Sequence, residues 1–280
     1  MHISHPLFTI SPMIIDVHTH IFPDSLARRA LASLTETSGD YLPHTDSTLA
    51  GLLESMDRAG IDMAWIASIA TKSAQAAAIL EWSLSIRSPR IIPLGSVHPL
   101  SPGFEREIEN FRSAGFRGIK LHPLYQNFFV DDAALEPFFA ALERSGMFVL
   151  LHGGYDISFP GDDKASPRRI VTLLERFPDM ILIAAHFGGW RVWDDVAAML
   201  AGTPCYFDTS FMSEVPPRLR DSIIERHGTD RLLFATDSPW QEQDAQIRFL
   251  KSLSLNKAEE EKIFFRNALA LMEGTGLDSR

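Results

Sequence analysis

The chain has 280 residues, 45% hydrophobic and 22% charged, with a formal net charge of −10 and one cysteine. These are the proportions of a globular protein, and the acidic balance argues against a nucleic-acid partner, whose phosphates call for clustered Lys and Arg. Cys205 alone excludes an intrachain disulfide and a thiolate metal cluster, no apolar stretch approaches the roughly 18–20 residues of a membrane span, and a reducing, cytoplasmic setting fits both.

Residues 1–12 carry two histidines and lack the apolar centre of a signal peptide; they read as an N-terminal extension to one domain over 13–280. The first strand is expected at 13–18, ending on His18 and His20. A long connection, 21–46, leads to a helix over 48–59 with Ser47 as its N-cap and Gly60 at its end. Strands at 62–68 and 91–97 follow, then a helix over 103–114 opened by Ser101-Pro102 and closed by Gly115. Strand 116–121 puts Lys120 and His122 on one face, and a helix over 133–145 runs from Asp131 and Asp132 to Gly146. Strand 147–151 ends on His152, a second long connection covers 153–165, and a helix over 168–177 opens at Ser166-Pro167. Strand 180–185 ends on His186. Strand 204–208 ends on Asp208 and passes through a third long connection, 210–215, to a helix opened by Pro216-Pro217. Strand 231–236 ends on Asp237, and helices over 241–253 and 256–273 follow.

The strand segments are apolar throughout instead of alternating, as parallel strands covered on both faces require. Eight of them, each followed by a helical pattern, is the count of a (β/α)8 TIM barrel, an α/β fold that at this length is a single domain. A doubly wound open sheet competes, but no GxGxxG or GxxxxGK loop follows any strand. In a barrel the loops after the strands form the catalytic face, so some of Phe22, Tyr155, Phe159, Trp190, Phe211 and Trp240 are expected to wall a pocket there, the others stapling their loops down.

Four distant segments therefore finish an apolar run on His18/His20, His152, His186 and Asp237, all side chains a divalent metal accepts. Taken singly, each has a plain alternative: a core histidine bonded to a carbonyl, or an aspartate capping a helix. Placed together at one end of successive strands, they point to a metal centre. A charged, unpaired Lys120 deep in a barrel costs several kcal/mol. It needs a carboxylate, an anionic substrate, or carbamylation into a metal-bridging ligand, unless it snorkels to the surface. His98 and Asp208, at the ends of strands three and seven, either support the ligands or are merely structural.

These residues carry a family resemblance. His-x-His after the first strand, single histidines after strands five and six, and Asp after strand eight resemble the amidohydrolase superfamily. The wording IIDVHTH, GIKLHP, LLHGG, AAHFGG and ATDSPW is similar to its amidohydrolase-2 branch of metal-dependent hydrolases and decarboxylases, over about Met13 to Asn267. By that branch's mononuclear pattern, His18, His20, His152 and Asp237 hold one zinc-like ion and His186 faces the substrate as acid, base or electrophile. Lys120, in Lys-Leu-His-Pro with a later Asn127, resembles instead the dihydroorotases, in which the strand-four Lys is carboxylated and bridges two metals. In that scheme His18, His20, Lys120 and Asp237 bind one ion, and Lys120, His152 and His186 the other. Every ligand for both schemes is present; the surrounding wording favours one ion.

The resemblance implies a hydrolase in which a metal-bound hydroxide attacks an amide, ester or lactone carbonyl of a small molecule. Asp237 would take the water's proton, while His186 or Lys120 steadies the oxyanion. The alternative is nonoxidative decarboxylation of an aromatic or unsaturated acid, with Lys120 or Arg191 holding the departing carboxylate. Lys120, His122, Arg191 and Trp240 are the expected substrate contacts. A catalytically silent binding barrel would leave the whole ligand set idle. Zn2+ suits the His-rich donors, although Mn, Fe or Co are accepted by the same set. The outer helices allow pairing into a homo-oligomer.

Overall fold

The computed structural model describes residues 12–274, so the expected N-terminal extension lies outside them except for Pro12. Each apolar run forms a strand. In chain order these elements are β1 (Ile15–Thr19), α1 (Asp24–Thr35), α2 (Leu49–Ala59), β2 (Met63–Ile66), α3 (Ala76–Ile86), β3 (Ile91–Pro93), α4 (Phe104–Ser113) and β4 (Gly118–Leu121). Then come α5 (Glu136–Ser145), β5 (Phe148–Leu151), α6 (Pro167–Arg176), β6 (Leu182–Ala184), α7 (Trp193–Asp195), β7 (Tyr206–Asp208), α8 (Pro217–His227), β8 (Leu232–Leu233), α9 (Gln243–Lys251), α10 (Lys257–Glu261) and α11 (Asn267–Glu273). A wide π turn over Lys262–Arg266 joins the last two.

All strand pairs are parallel, in two hydrogen-bonded runs, β1-β2-β3 and β4-β5-β6-β7-β8. The runs meet at both seams. Gly95 bridges Ile119, with Lys120 N–H donating to Gly95 O at 2.8 Å; Thr19 bridges Ser238, with His20 N–H donating to Ser238 O at 2.6 Å. The result is a closed (β/α)8 barrel, and the strand-end residues share its C-terminal mouth.

The lower interior is filled by ring stacking. Trp65 on β2 and Phe148 on β5 stack at 4.7 Å, although their strands are not neighbours, so the contact crosses the barrel's inside. Position 118 is glycine because a Cβ there would come within 2.0 Å of the Phe148 ring. Buried Asp16 on β1 ties the first strand to the segment that follows the last. Its carboxylate accepts from Thr236 Oγ1 at 2.6 Å and Gln243 Nε2 at 2.9 Å, and burial pushes its pKa up to about 6. The β1–β2 register slips by one between Asp16 and Thr19, so β1 bulges where His18 leaves it; a bulge of this kind re-aims a side chain.

Several local expectations change. The connection over 21–46 contains α1, which starts without a side-chain cap. The cap of α2 is Thr48, whose Oγ1 accepts from Gly51 N–H at 3.0 Å, instead of Ser47, which adopts φ +57°. Helix α3 had no start signal to mark it. Among the described residues no helix is long and apolar enough to cross a membrane.

Candidate metal centre and active-site cavity

Backbone geometry first brings the loops together. Gly154 has φ +81°, and a Cβ on it would sit 2.5 Å from Trp190 N, so the β5 and β6 loops can touch main chain to main chain only because glycine stands there. Trp190 N–H donates to Gly153 O at 2.9 Å and Tyr155 N–H to Trp190 O at 3.1 Å. That contact seats His152 beside His186. His186 and Asp237 both take left-handed backbone, φ +61° and +53°, which costs a non-glycine residue roughly 1–2 kcal/mol.

Asp208 orients two of the imidazoles. Its Oδ1 accepts from His186 N–H at 2.9 Å and from Ser210 Oγ at 2.5 Å, and its Oδ2 faces His18 Nδ1 at 2.8 Å. Burial raises the Asp208 pKa, yet with main-chain and hydroxyl donors on it the carboxylate is the acceptor. His18 therefore carries its proton on Nδ1 and presents the Nε2 lone pair. That atom lies 2.8 Å from Lys120 Nζ, 3.1 Å from His20 Nε2 and 3.3 Å from Asp237 Oδ1; His20 Nε2 is 3.0 Å from the same oxygen. Asp237 Oδ1 is buried and has no hydrogen-bond partner.

A second pair repeats the pattern. The Ser210 hydroxyl is committed to Asp208, so His186 Nδ1 donates to Ser210 Oγ at 2.8 Å and its Nε2 is a lone pair. His152 Nε2 faces Tyr155 O at 2.9 Å and must donate to it, which leaves a lone pair on Nδ1. The two lone pairs confront each other at 2.9 Å. Burial above all, then the neighbouring His122 for His152 and His152 for His186, drives both pKa values far below the ordinary 6.5, so neither ring is protonated. His18 is held neutral the same way, by burial and then by Lys120. Burial lowers Lys120 to about 8 against the opposing pull of Asp237. Orphaned lone pairs on nitrogen and carboxylate oxygen, in rings kept deprotonated, are a donor set that fits a divalent cation.

The structure gathers His18, His20 and Asp237 into one compact group that can hold an ion. His152 stands outside that group, paired with His186. Lys120 is fully buried and does not snorkel. These residues, with His122 and Trp240, line a cavity of about 620 Å³ at the barrel mouth. Phe22, Tyr155, Trp190 and Phe211 wall it as expected, whereas Phe159 does not and packs on Tyr125 instead. Arg191 is a correction: it does not line the cavity, because φ +59° turns the chain outward and its guanidinium lies over the Trp190 ring, 4.6 Å from the centroid. His98 is also outside, its Nδ1 accepting from Leu100 N–H at 3.2 Å. Sequence reasoning missed Tyr41, Tyr125 and Asp156, all lining the cavity. Asp156 approaches His122 Nε2 at 3.4 Å, and its place in a long loop after a strand was the sole hint.

The family model described as Amidohydrolase matches residues 15–273. No curated protein sequence matches the chain. Among solved structures, an uncharacterised TIM-barrel protein, Bb4693 from Bordetella bronchiseptica, is similar at 20% identity over 94% of this chain and 99% of that one, with a TM-score of 0.75. 5-Carboxyvanillate decarboxylase LigW from Sphingomonas paucimobilis is similar at 17% identity, 94% and 99% coverage and a TM-score of 0.69. LigW2 from Novosphingobium aromaticivorans, solved with bound manganese and 3-methoxy-4-hydroxy-5-nitrobenzoic acid, is similar at 14% identity, 94% and 97% coverage and a TM-score of 0.72. At such identities these likenesses speak for the barrel alone. The family match spans all eight strands and every strand-end histidine and aspartate described above, and the chain belongs to the amidohydrolase family, in its amidohydrolase-2 branch.

Proposed function

We propose that the chain is a metal-dependent hydrolase of an amide, ester or lactone in a small molecule, with His18, His20, His152 and Asp237 holding one divalent ion, Zn2+. The observation that carries this reading is the orphaned Asp237 Oδ1, set between two imidazoles on the wall of a closed-bottomed cavity. When bound, such an ion supplies Lewis acidity and a water that ionises near neutral pH. Asp237 accepts the proton of the attacking water and returns it to the leaving atom. Lys120 and His186 stand beside the same centre and stabilise the oxyanion that develops on the substrate carbonyl. His122 and Trp240 bound the substrate, and the aromatic walls keep bulk water from it.

Two observations favour variations on this reading. The His152–His186 lone-pair contact supports a second ion, bridged by carbamylated Lys120; burial brings that amine to about 8, so the neutral form that reacts with CO2 is accessible. Aromatic walls, a single cavity-lining ammonium and the decarboxylase activities named for two of the solved structures support nonoxidative decarboxylation of an aromatic acid. Hydrolysis is preferred because Arg191, the second cation expected to hold a departing carboxylate, is turned away from the cavity. The deciding experiment is a parallel screen of metal-loaded protein for acyl cleavage of amides, esters and lactones and for CO2 release from aromatic acids. CO2 release without acyl cleavage would overturn the hydrolase assignment.

A further inference from the structure

The cavity is larger and greasier than its polar floor requires. Of the charged side chains only Lys120, Asp156 and Asp237 line it, beside the histidines. Its upper flank is formed by two helix faces: Leu26, Ala30 and Leu34, spaced by four along α1, and Ala78, Ile79 and Trp82 along α3. Positions three and four apart share one helix face, and the charges of these helices, Asp24, Arg28 and Arg29 on α1 and Glu81 on α3, do not line the cavity. None of the six apolar residues is buried, and Leu26 is 40% exposed. The two helices thus turn mainly apolar faces, interrupted by Ser33, toward the space that the metal donors also line, with Ile79 and Trp82 packing in part on the core. A void of roughly 150 Å³ is enough for a benzene ring, so about 620 Å³ leaves room for far more than one ring above the floor.

We propose that this flank is a channel for a flexible apolar chain, so that the substrate is an amphiphile whose carbonyl or carboxylate head lies on the Lys120 floor. The assignment rests on the proposed function for the head and on the α1–α3 channel for the tail. Water against these faces is replaced by methylenes when the substrate binds, and each buried methylene strengthens binding.

The test is calorimetric titration with n-alkyl carboxylates from butanoate to dodecanoate, run on Zn2+-loaded and on chelated protein. Affinity should rise about two- to fourfold per added methylene in both states. Ala78→Glu, on an exposed position of α3 facing the channel, should collapse the dodecanoate-to-butanoate affinity ratio, while Ala77→Glu, exposed on the same helix but outside the cavity, should leave it intact. An affinity that does not change along the series, or a ratio that survives Ala78→Glu, would overturn the channel. Failure of the metal reading shows separately, as identical affinities in loaded and chelated protein.

Discussion

His152 Nδ1 and His186 Nε2 meet at 2.9 Å with the proton of each ring already committed elsewhere, one to Tyr155 O and the other to Ser210 Oγ. Two lone pairs held this close repel, and burial denies either ring the proton that would relieve them. A cation is therefore expected to stabilise the folded chain. An ion at a thousand times its Kd adds about 4 kcal/mol, so chelation should lower the thermal midpoint on the order of 10 °C. Re-addition of Zn2+ or Mn2+ should restore it. Differential scanning fluorimetry combined with elemental analysis checks this; no shift, together with negligible metal content, would remove the metal centre.

Asp237 is asked to do two things, and they separate on substitution. Asp237→Asn keeps an oxygen for the ion but loses the proton acceptor. Turnover should fall by about 10²–10⁴-fold, with metal content retained. Steady-state kinetics beside metal analysis decide it. Near-normal kcat with metal bound would take the proton-transfer role away from this residue.

Asp208 touches no substrate but fixes the proton on His18 Nδ1 and anchors the main chain of His186. Partners of this kind typically tune metal affinity by about 10- to 100-fold. Asp208→Asn should weaken Zn2+ binding by that factor, measured by competition with a chromophoric chelator. An unchanged affinity would show that packing alone orients His18.

Arg191 offers a contrast. Its guanidinium rests on the Trp190 ring, with Tyr41 Oη 3.5 Å away, and it does not line the cavity. Arg191→Ala should alter kcat/KM by no more than about twofold, the scale of an ordinary surface change. Lys120→Ala, at the buried floor, should abolish measurable turnover. A large defect from Arg191→Ala would mean that the guanidinium swings into the cavity during turnover.

The contrast also shows what a linear chain reveals. All eight strands were legible because parallel strands buried on both faces must be apolar throughout, and the strand-end residues were legible because the barrel mouth begins where each run stops. Arg191 was misread because a position just past the sixth strand says nothing of a left-handed turn at the residue itself. Helix α1 went unseen because Pro23 gives it no capping side chain, and Leu26, Ala30 and Leu34 on it face the cavity. Which ring nitrogen of His18, His152 and His186 carries the proton was invisible for another reason: Asp208, Tyr155 O and Ser210 choose it, partners that only folding brings near.

Away from the mouth, His227 makes stability depend on pH. Its ring stacks on Phe207 at 3.9 Å, Nδ1 accepts from Gly202 N–H at 3.2 Å, and burial, then Arg231, lowers its pKa from 6.5 to about 4. Between those values the unfolded chain binds a proton that the folded chain refuses, so protonation favours unfolding. The folded state is at full advantage above pH 6.5 and loses it as pH falls toward 4, by roughly 3 kcal/mol. His227→Asn keeps an acceptor for Gly202 and removes the titration, so denaturation midpoints of this variant should fall less steeply than those of the parent between pH 6.5 and 4. Equal slopes for the two proteins would assign the acid sensitivity to other groups.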